Sequence, residues 1–460
     1  MQPKYDQASP QSIEAFGKRL VNGTLRTVEG ARKMPLHDLK RKIGTGGKSL
    51  FGALVEEYYY DIHPGNASLP DFPEAGVELK TTPVKRLQSS EYSAKERLVL
   101  GIINYITEKD KTFESSSFYT KNSKLMVISY VHQDDTEVGD LSVKMARLIE
   151  FEKLPAEDQK IIREDWEKIA KKIREGKAHE ISEGDTLYLG ACTKSDTSAT
   201  LRAQIGAEKA KPRAYSFKGG YMTALIRRDL EGVPSDDERA VKHDEEKKPQ
   251  TFEEIVVSKF DQFLNKTVEE IAEILKSDIN MEDKANIATL ARRMMGVKGK
   301  EISEFEAAEV SMKTVRLEMD GKPEQHMSFP AFKFKEIINQ RWDSEDGELI
   351  PRAEFRNQIE KRFFLVVFQR DKSGDQRLKK VMFWTMPYED MLEAEKVWKA
   401  AARNIRNEEL DHLPGITENR VAHVRPHGRD GDDLDETQSG NKKTKQCFWL
   451  RNTYIASIVK

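Results

Sequence analysis

The spacing of apolar residues predicts three strands and a long helix in the first half of the chain. Short runs typical of β-strands lie at residues 77–84, 97–105 and 124–131. At residues 155–175 the apolar positions recur at helical spacing instead, with Trp166 and isoleucines on one side and charged residues elsewhere. This part of the chain therefore contains both strands and an amphipathic helix.

Two further helices and a linker complete the predicted layout. Residues up to about 20 and residues 38–60 are typical of helices, with a glycine-rich break at the start of the second. Residues 231–250 contain almost no large apolar side chains, so we expect a charged linker there. Beyond it, Thr267 followed by Glu270 indicates a capping box that opens another helix.

The second half of the chain repeats part of the first. Residues 304–314 (EFEAAEVSMKT) resemble residues 71–81 (DFPEAGVELKT), and residues 445–455 resemble residues 212–222. Both pairs have the same offset of 233 residues (304 − 71 and 445 − 212). Two matches in the same order and at one spacing favour an internal duplication over coincidence.

Composition narrows the class of protein. A chain of 460 residues with 38% hydrophobic and 33% charged residues is expected to form two or three soluble domains. No segment has the apolar length of a membrane span or the apolar core of a signal peptide. The two cysteines, Cys192 and Cys447, cannot form a disulfide framework, so we expect a cytoplasmic protein. A net charge of −2 means that any DNA binding must use locally basic surfaces.

The strongest candidate chemistry lies at the strand predicted for residues 77–84. Side chains on a strand alternate between faces, so Glu78 and Lys80 share one face, and Asp71 lies just before the strand. Two carboxylates that converge in this way suit a hard divalent ion such as Mg²⁺. A neighbouring lysine can orient the attacking water or stabilise charge on phosphorus. The pattern predicts a metal-dependent nuclease.

The repeated segment lacks part of this set. At the shared offset Ser311 replaces Glu78, while Lys313 corresponds to Lys80 and Glu304 to Asp71. Without the central carboxylate a site should bind Mg²⁺ poorly. We expect the second half to bind DNA without cutting it.

Longer motifs around these residues resemble the MutH family of DNA endonucleases. They are GALVE at 52–56, EAGVELKTTP at 74–83, SAKERLVLGIINY at 93–105, GKAHEISEG at 176–184 and RAYSFKGGYMTAL at 213–225. The likeness is greatest to the type II restriction endonucleases of this family that cut at GATC and carry two MutH-like halves, and it covers nearly the whole chain.

The resemblance implies an α/β (α+β) fold with two restriction-endonuclease-like domains, each a mixed sheet flanked by helices. Residues 1–230 would form the catalytic domain, called the first half below, and residues 231–250 the linker. Residues 251–460, the second half, would form a domain without an intact active site that binds DNA and stimulates cleavage. The resemblance also implies an active site made of Glu56, Asp71, Glu78, Lys80 and Lys121, with Mg²⁺ held by Glu56, Asp71 and Glu78.

The resemblance also implies DNA contacts in two later segments of the first half. Lys194 matches a base-contacting lysine of the family, and lysine can donate to guanine in the major groove. The neighbouring recognition segment contains Arg213, Tyr215, Ser216 and Lys218. The family member that senses hemimethylated DNA has a tyrosine at the position of Ser216, so the serine here favours a restriction enzyme over a repair nickase.

Further DNA contacts are expected outside these segments. In the second half they are Arg425, His427 and Arg451, of which His427 is the counterpart of Lys194 at the 233-residue offset. In the first half Lys48 belongs to a basic, glycine-rich loop that can contact phosphates.

Two motifs have alternative interpretations. The loop GTGGKS at residues 44–49 has the Lys-Ser of a nucleotide-binding loop, but Lys42 occupies a position where that motif needs glycine. His423 and His427 have a spacing that suits a helical metal site. The Val-Arg-Pro between them favours an extended segment instead.

We therefore expect a type II restriction endonuclease that makes Mg²⁺-dependent double-strand cuts in DNA at GATC, before the G. It would be a monomer in solution, with two chains meeting on DNA or one chain acting twice. The alternatives are a methyl-directed GATC nicking enzyme of mismatch repair and a non-catalytic DNA-binding regulator.

Overall fold

The structure is a computed structural model. It describes the chain outside residues 1–4, 29–46, 63–68, 89–90, 195–200, 233–234, 243–244, 246–249, 277–283, 345–349 and 429–431. Residues 38–46 of the helix predicted for 38–60, and the side chain of Lys48, lie outside the described residues.

The first half has seven strands and six helices within the described residues. The strands are β1 (Glu78–Arg86), β2 (Tyr92–Ala94), β3 (Leu98–Ile102), β4 (Lys124–Val131), β5 (Val143–Glu150), β6 (Leu189–Thr193) and β7 (Arg213–Phe217). The helices are α1 (Pro10–Lys18), α2 (Gly47–Ala53, continued as a π-helix over Leu54–Tyr59), α3 (Tyr105–Glu108), α4 (Ser117–Asn122), α5 (Ala156–Arg174) and α6 (Gly219–Leu230).

The largest sheet of the first half has the order β2-β1-β4-β5. β1 and β4 are parallel, with Glu78 opposite Leu125 and Lys80 opposite Val127. One face is covered by α1 and α2, which pack on the buried side chains Val77 and Leu79. The predicted alternation along this strand is confirmed, because Glu78 and Lys80 point away from that apolar layer and contact each other.

The helix predicted for residues 155–175 is confirmed as α5. Acidic residues occupy its first turn and basic residues its last, an arrangement favourable to the helix dipole. Its apolar side is buried, including Trp166. On the same helix the fully buried Asp165 accepts hydrogen bonds from the backbone N–H groups of Leu187, Tyr188 and Leu189. These bonds fix the start of β6 against the helix.

The predicted strand at 97–105 is shorter in the structure. It ends at Ile102, because Asn104 caps α3 with its side-chain oxygen. The capping box of Thr267 and Glu270 is confirmed, with both reciprocal hydrogen bonds present.

The second half has eight strands and eight helices within the described residues. The strands are β8 (Ser311–Leu317), β9 (Met327–Phe332), β10 (Phe363–Arg370), β11 (Gln376–Trp384), β12 (Ala422–Pro426), β13 (Leu434–Glu436), β14 (Lys442–Thr444) and β15 (Gln446–Leu450). The helices are α7 (Phe252–Ser258), α8 (Val268–Ile274), α9 (Lys284–Met294), α10 (Ser303–Ala308), α11 (Phe334–Ile337), α12 (Glu354–Ile359), α13 (Tyr388–Arg406) and α14 (Asn452–Val459).

Strand pairing repeats between the two halves. The order β1-β4-β5 has its counterpart in β8-β10-β11, and β3-β7-β6 in β9-β15-β12. β8 is parallel to β10, with Ser311 opposite Phe363 and Lys313 opposite Leu365. Each half also has one 19-residue helix, α5 or α13. This agreement supports the duplication, and it gives both halves the predicted mixed sheets flanked by helices.

The two halves share an apolar core. One cluster of buried side chains runs from α5 and α6 of the first half to α9, α10 and β10 of the second. Within the predicted linker, Ala240 and Val241 are buried and donate their N–H groups to the carboxylate of Glu304. Residues 240 and 241 of the predicted linker are therefore packed against the second half, while Arg239 pairs with Glu157 of the first half. Among the described residues, no helix is both long and apolar enough to cross a membrane.

Candidate active site and DNA-binding residues

Glu78 lies at the centre of the candidate active site. Its residue surface is only 1% exposed, and its Oε1 is 2.5 Å from Lys80 Nζ. Desolvation raises the pKa of the Glu78 carboxyl, the positive charge of Lys80 lowers it, and the negative charge of Asp71 raises it again. The first strand thus presents a buried carboxylate and a lysine on one face, as its sequence predicted.

A tight reversal of the chain brings Asp71 to this strand. Phe72 and Val77 exchange backbone hydrogen bonds, and Gly76 adopts a φ of +64° that favours glycine. Asp71 Oδ2 accepts from the Leu79 N–H at 2.9 Å, and the Asp71 N–H donates to Glu78 Oε2 at 3.2 Å. These reciprocal bonds hold the two carboxyl groups side by side.

Glu56 and Lys121 join the site from two helices. Glu56 lies in the π-helical segment after α2, a wide helical turn often found at functional sites. Burial first, and then the charge of Asp71, raise the pKa of Glu56 to about 7. Lys121, in the last turn of α4, places its Nζ 3.3 Å from Glu78 Oε1. The structure thus brings together all five residues of the predicted active-site set.

The charge balance of this group fits a divalent cation. Burial and the negative charge of Asp71 raise the pKa of both Glu56 and Glu78. A cation would relieve this crowding of acidic groups, and carboxylate oxygens suit a hard cation. Among the described residues no three ligand side chains already stand in metal-binding arrangement. Glu78 Oε1 is instead bonded by Lys80 and Lys121, so a metal ion would have to replace these lysine contacts.

The corresponding strand of the second half has no such carboxylate group. Ser311 occupies the register position of Glu78. The expected counterpart of Asp71, Glu304, lies on α10 and is bound to the backbone at Ala240 and Val241. Glu304 is therefore occupied in a structural contact with the backbone, unlike Asp71, which is bonded to the active-site strand.

Four predicted DNA contacts of the first half are buried. Arg213 donates to the carbonyls of Ala191 and Ile181, and Tyr215 donates to Glu108. Lys218 donates to two backbone carbonyls, and Ser216 is fully enclosed in β7. Their side chains hold β6, β7 and the preceding loop together. In the structure without DNA these four side chains make internal contacts, and their assignment as DNA contacts stays a prediction.

Lys194 lies where β6 ends, and its side chain is half-buried. Its N–H donates to the carbonyl of Pro212, and the N–H of His427 donates to that of Lys445. These two bonds are related by the 233-residue offset, so the predicted correspondence of Lys194 and His427 is confirmed in the backbone.

The predicted contacts of the second half lie near Trp449. Arg425 and His427 are exposed, with the Arg425 guanidinium 5.8 Å and the His427 ring 5.3 Å from the Trp449 ring centre. Arg451 caps α14 and donates to the carbonyl of Asn419. The segment is extended as predicted, and His423 is completely buried. His423 and His427 therefore do not form a helical metal site.

Sequence reasoning missed Trp449 and His326. Trp449 occupies the register position of Ser216 and is only half-buried, and its place in the repeat was the signal that could have identified it. His326 precedes β9, its ring centre 4.8 Å from that of His423. No sequence motif marks it, because only the pairing of β9 with β15 brings it there.

A mixed sheet with a buried acidic strand, an adjacent acidic helix and two lysines defines a nuclease of the restriction-endonuclease type. The family model described as DNA mismatch repair enzyme MutH matches residues 60–165, which include four of the five candidate active-site residues.

The chain is 36% identical to the type II restriction enzyme Sau3AI of Staphylococcus aureus, over 98% of both chains. It is also 26% identical to the DNA mismatch repair protein MutH of Serratia proteamaculans (strain 568), over 44% of this chain and 84% of that protein. The chain belongs to the family of Sau3AI, the MutH-related type II restriction endonucleases, which act on DNA with a divalent metal.

Proposed function

We propose that this enzyme makes Mg²⁺-dependent double-strand cuts in DNA at GATC, before the G, with its active site in the first half. The observation that supports this most is the convergence of Glu56, Asp71 and Glu78 beside Lys80 and Lys121. The second half has Ser311 in place of the central carboxylate.

Each residue has a distinct part in the proposed reaction. Asp71, Glu78 and Glu56 would hold the metal, which supplies an activated water and neutralises charge on the phosphate. Lys80 shares the face of Glu78 and is positioned to orient the attacking water and stabilise the charge that develops on phosphorus. Lys121 contributes a second positive charge at Glu78. Hydrolysis leaves a 5′ phosphate and a 3′ hydroxyl.

We propose that the second half binds DNA and promotes cleavage. Arg425, His427 and Arg451 are its candidate contacts. In the first half Lys194 and Lys48 are candidates, and Arg213, Tyr215, Ser216 and Lys218 stay predicted contacts. Point substitution is the suitable test of this role, because one apolar cluster spans both halves and deletion of the second half would expose it. One intact site per chain is consistent with a monomer in solution whose duplex cuts need two chains on DNA or two successive strand cuts.

A plasmid digest with Mg²⁺ tests the proposed function. Linear fragments whose sequenced ends carry 5′ GATC overhangs support restriction. Nicked circles alone would indicate a repair nickase. Retained binding without any cleavage would indicate a DNA-binding regulator, and ends at another sequence would contradict the proposed specificity.

A further inference from the structure

The second half contains a pocket at the strand that corresponds to the active-site strand. It has a volume of about 240 Å³ and is lined by residues of β8 and by the chain that leads into β9. A space of this volume is sufficient for a phosphodiester group. Lys313, Arg316 and His326 line it, and the acid in its lining, Glu324, is exposed.

Lys313 differs from its counterpart in the first half. Lys80 is bonded to the carboxylate of Glu78. By contrast, no hydrogen bond or ion pair joins Lys313 to another described residue. Its Nζ lies over the Phe329 ring, 6.0 Å from the ring centre. Burial, followed by the nearby charge of Lys361, lowers the pKa of Lys313. A half-buried ammonium without a counter-ion is costly, and an anion would compensate it.

The groups around the pocket add positive charge and a hydrogen-bond donor. Burial first, and then the positive charges of Arg425 and Arg451, lower the pKa of His326, while a backbone hydrogen bond at Leu450 raises it. His326 Nδ1 accepts the N–H of Asn452 at 3.0 Å. The proton of a neutral His326 ring must therefore be on Nε2, which makes that atom a donor.

We propose that this pocket binds a phosphodiester group of DNA without a metal ion, with Lys313 as the charged contact and His326 as a further donor. In the first half three carboxylates require a cation before a phosphate can approach. In the second half the loss of the carboxylate at Ser311 leaves Lys313 able to receive the phosphate directly. The inference rests on the proposed function, because it specifies how the second half holds DNA.

A double-mutant cycle between the lysine and individual phosphates tests the pocket. The full chain carries Glu78→Gln so that DNA stays intact, and a fluorescent GATC duplex is titrated in EDTA with single methylphosphonate substitutions. Lys313→Gln should weaken binding about tenfold, as expected for a charged hydrogen bond, and lower the salt slope by about one. A methylphosphonate at the one phosphate that Lys313 contacts should weaken binding by a similar factor in the protein that retains Lys313. In the Lys313→Gln variant the same methylphosphonate should cause no further loss of affinity.

Two variants control this experiment. Lys322→Gln removes an exposed lysine paired with Asp320 just beyond the same strand, and binding should be unchanged. Lys313→Arg keeps the charge and should bind within about threefold of the parent, which separates charge loss from misfolding. Effects that are additive at every phosphate would overturn the pocket assignment.

The remaining outcomes separate the pocket from the proposed function. If Arg425→Ala weakens binding and Lys313→Gln does not, only the pocket inference fails. If neither weakens it, the proposed DNA binding by the second half fails as well. Inorganic phosphate is a further probe. If it raises the melting temperature of the full chain but not that of the Lys313→Gln variant, and no phosphate of the duplex shows non-additivity, then the pocket binds a free anion. In that case the DNA assignment is wrong.

Discussion

The crowded carboxylates of the active site should lower the stability of the metal-free protein, and Glu56→Gln should reveal the cost. Burial and the charges of Asp71 and Glu78 raise the pKa of Glu56 from 4.5 to about 7. At about 1.4 kcal/mol per pH unit this corresponds to about 3 kcal/mol. Solvent reaches part of the side chain, so we expect about 2 kcal/mol after screening.

The sign of this effect depends on pH. Below about pH 4.5 the Glu56 carboxyl is protonated in both folded and unfolded chains, and it costs nothing. Between pH 4.5 and 7 the unfolded chain ionises while the folded protein keeps the proton, so the free energy of unfolding falls as pH rises. Above pH 7 the full cost is present. Glu56→Gln should therefore raise the free energy of unfolding by about 2 kcal/mol at pH 8.5 and by about a quarter of that at pH 5.

Urea unfolding without divalent ions, followed by tryptophan fluorescence, measures this difference. Glu57→Gln, the same change one position along the same segment, is the matched control. A variant Glu56→Gln that is no more stable at pH 8.5, or that gains equally at both pH values, would refute the reasoning. An equal gain in Glu57→Gln would do so too. Added Mg²⁺ should stabilise the parent more than Glu56→Gln, because the variant lacks one proposed ligand.

Three further substitutions test other parts of the account. Gly184→Ala places a Cβ 2.7–3.0 Å from atoms of the second half and should lower the free energy of unfolding in urea by about 1–3 kcal/mol. The control Gly101→Ala, whose Cβ meets open space, should be nearly neutral. Equal effects would contradict the close packing of the halves. Lys121→Met should raise the pKa of Glu78 and shift the acidic limb of the pH profile of cleavage to higher pH by as much as about one unit. An unchanged acidic limb would contradict the contact between Lys121 and Glu78. Arg213→Lys should lower the urea midpoint, because an ammonium group does not reproduce the two guanidinium hydrogen bonds to buried carbonyls. Weaker DNA binding at unchanged stability would instead support Arg213 as a DNA contact.

Local periodicity was sufficient to predict the strand and the long helix on which the site is built. Glu78 and Lys80 share a face because strand side chains alternate, and α5 follows from apolar residues at helical spacing. The convergence of Glu56 and Lys121 depends on two helices distant in sequence. No local pattern encodes that contact, and only the family resemblance suggested it.

The burial of several predicted DNA contacts could not be predicted from the sequence. A charged side chain on or beside a short strand is usually exposed, but Arg213 and Lys218 are buried because remote backbone carbonyls accept their hydrogen bonds. These acceptors are invisible in sequence. Glu304 is a similar case. It matches Asp71 in the repeated sequence, but its carboxylate accepts hydrogen bonds from the backbone at residues 240 and 241, and no sequence pattern indicates these bonds.

The central claim is that the first half cuts DNA and the second half only binds it. The most direct test is single-turnover cleavage of a GATC duplex by full-length Glu78→Ala with Mg²⁺, together with the affinity for the same duplex in EDTA. Loss of the central carboxylate should reduce cleavage by at least about 1000-fold, a loss of about 4 kcal/mol in transition-state stabilisation, while the affinity stays within about threefold. Cleavage above about a tenth of the parent rate would show that a second active site operates, and the account would be wrong.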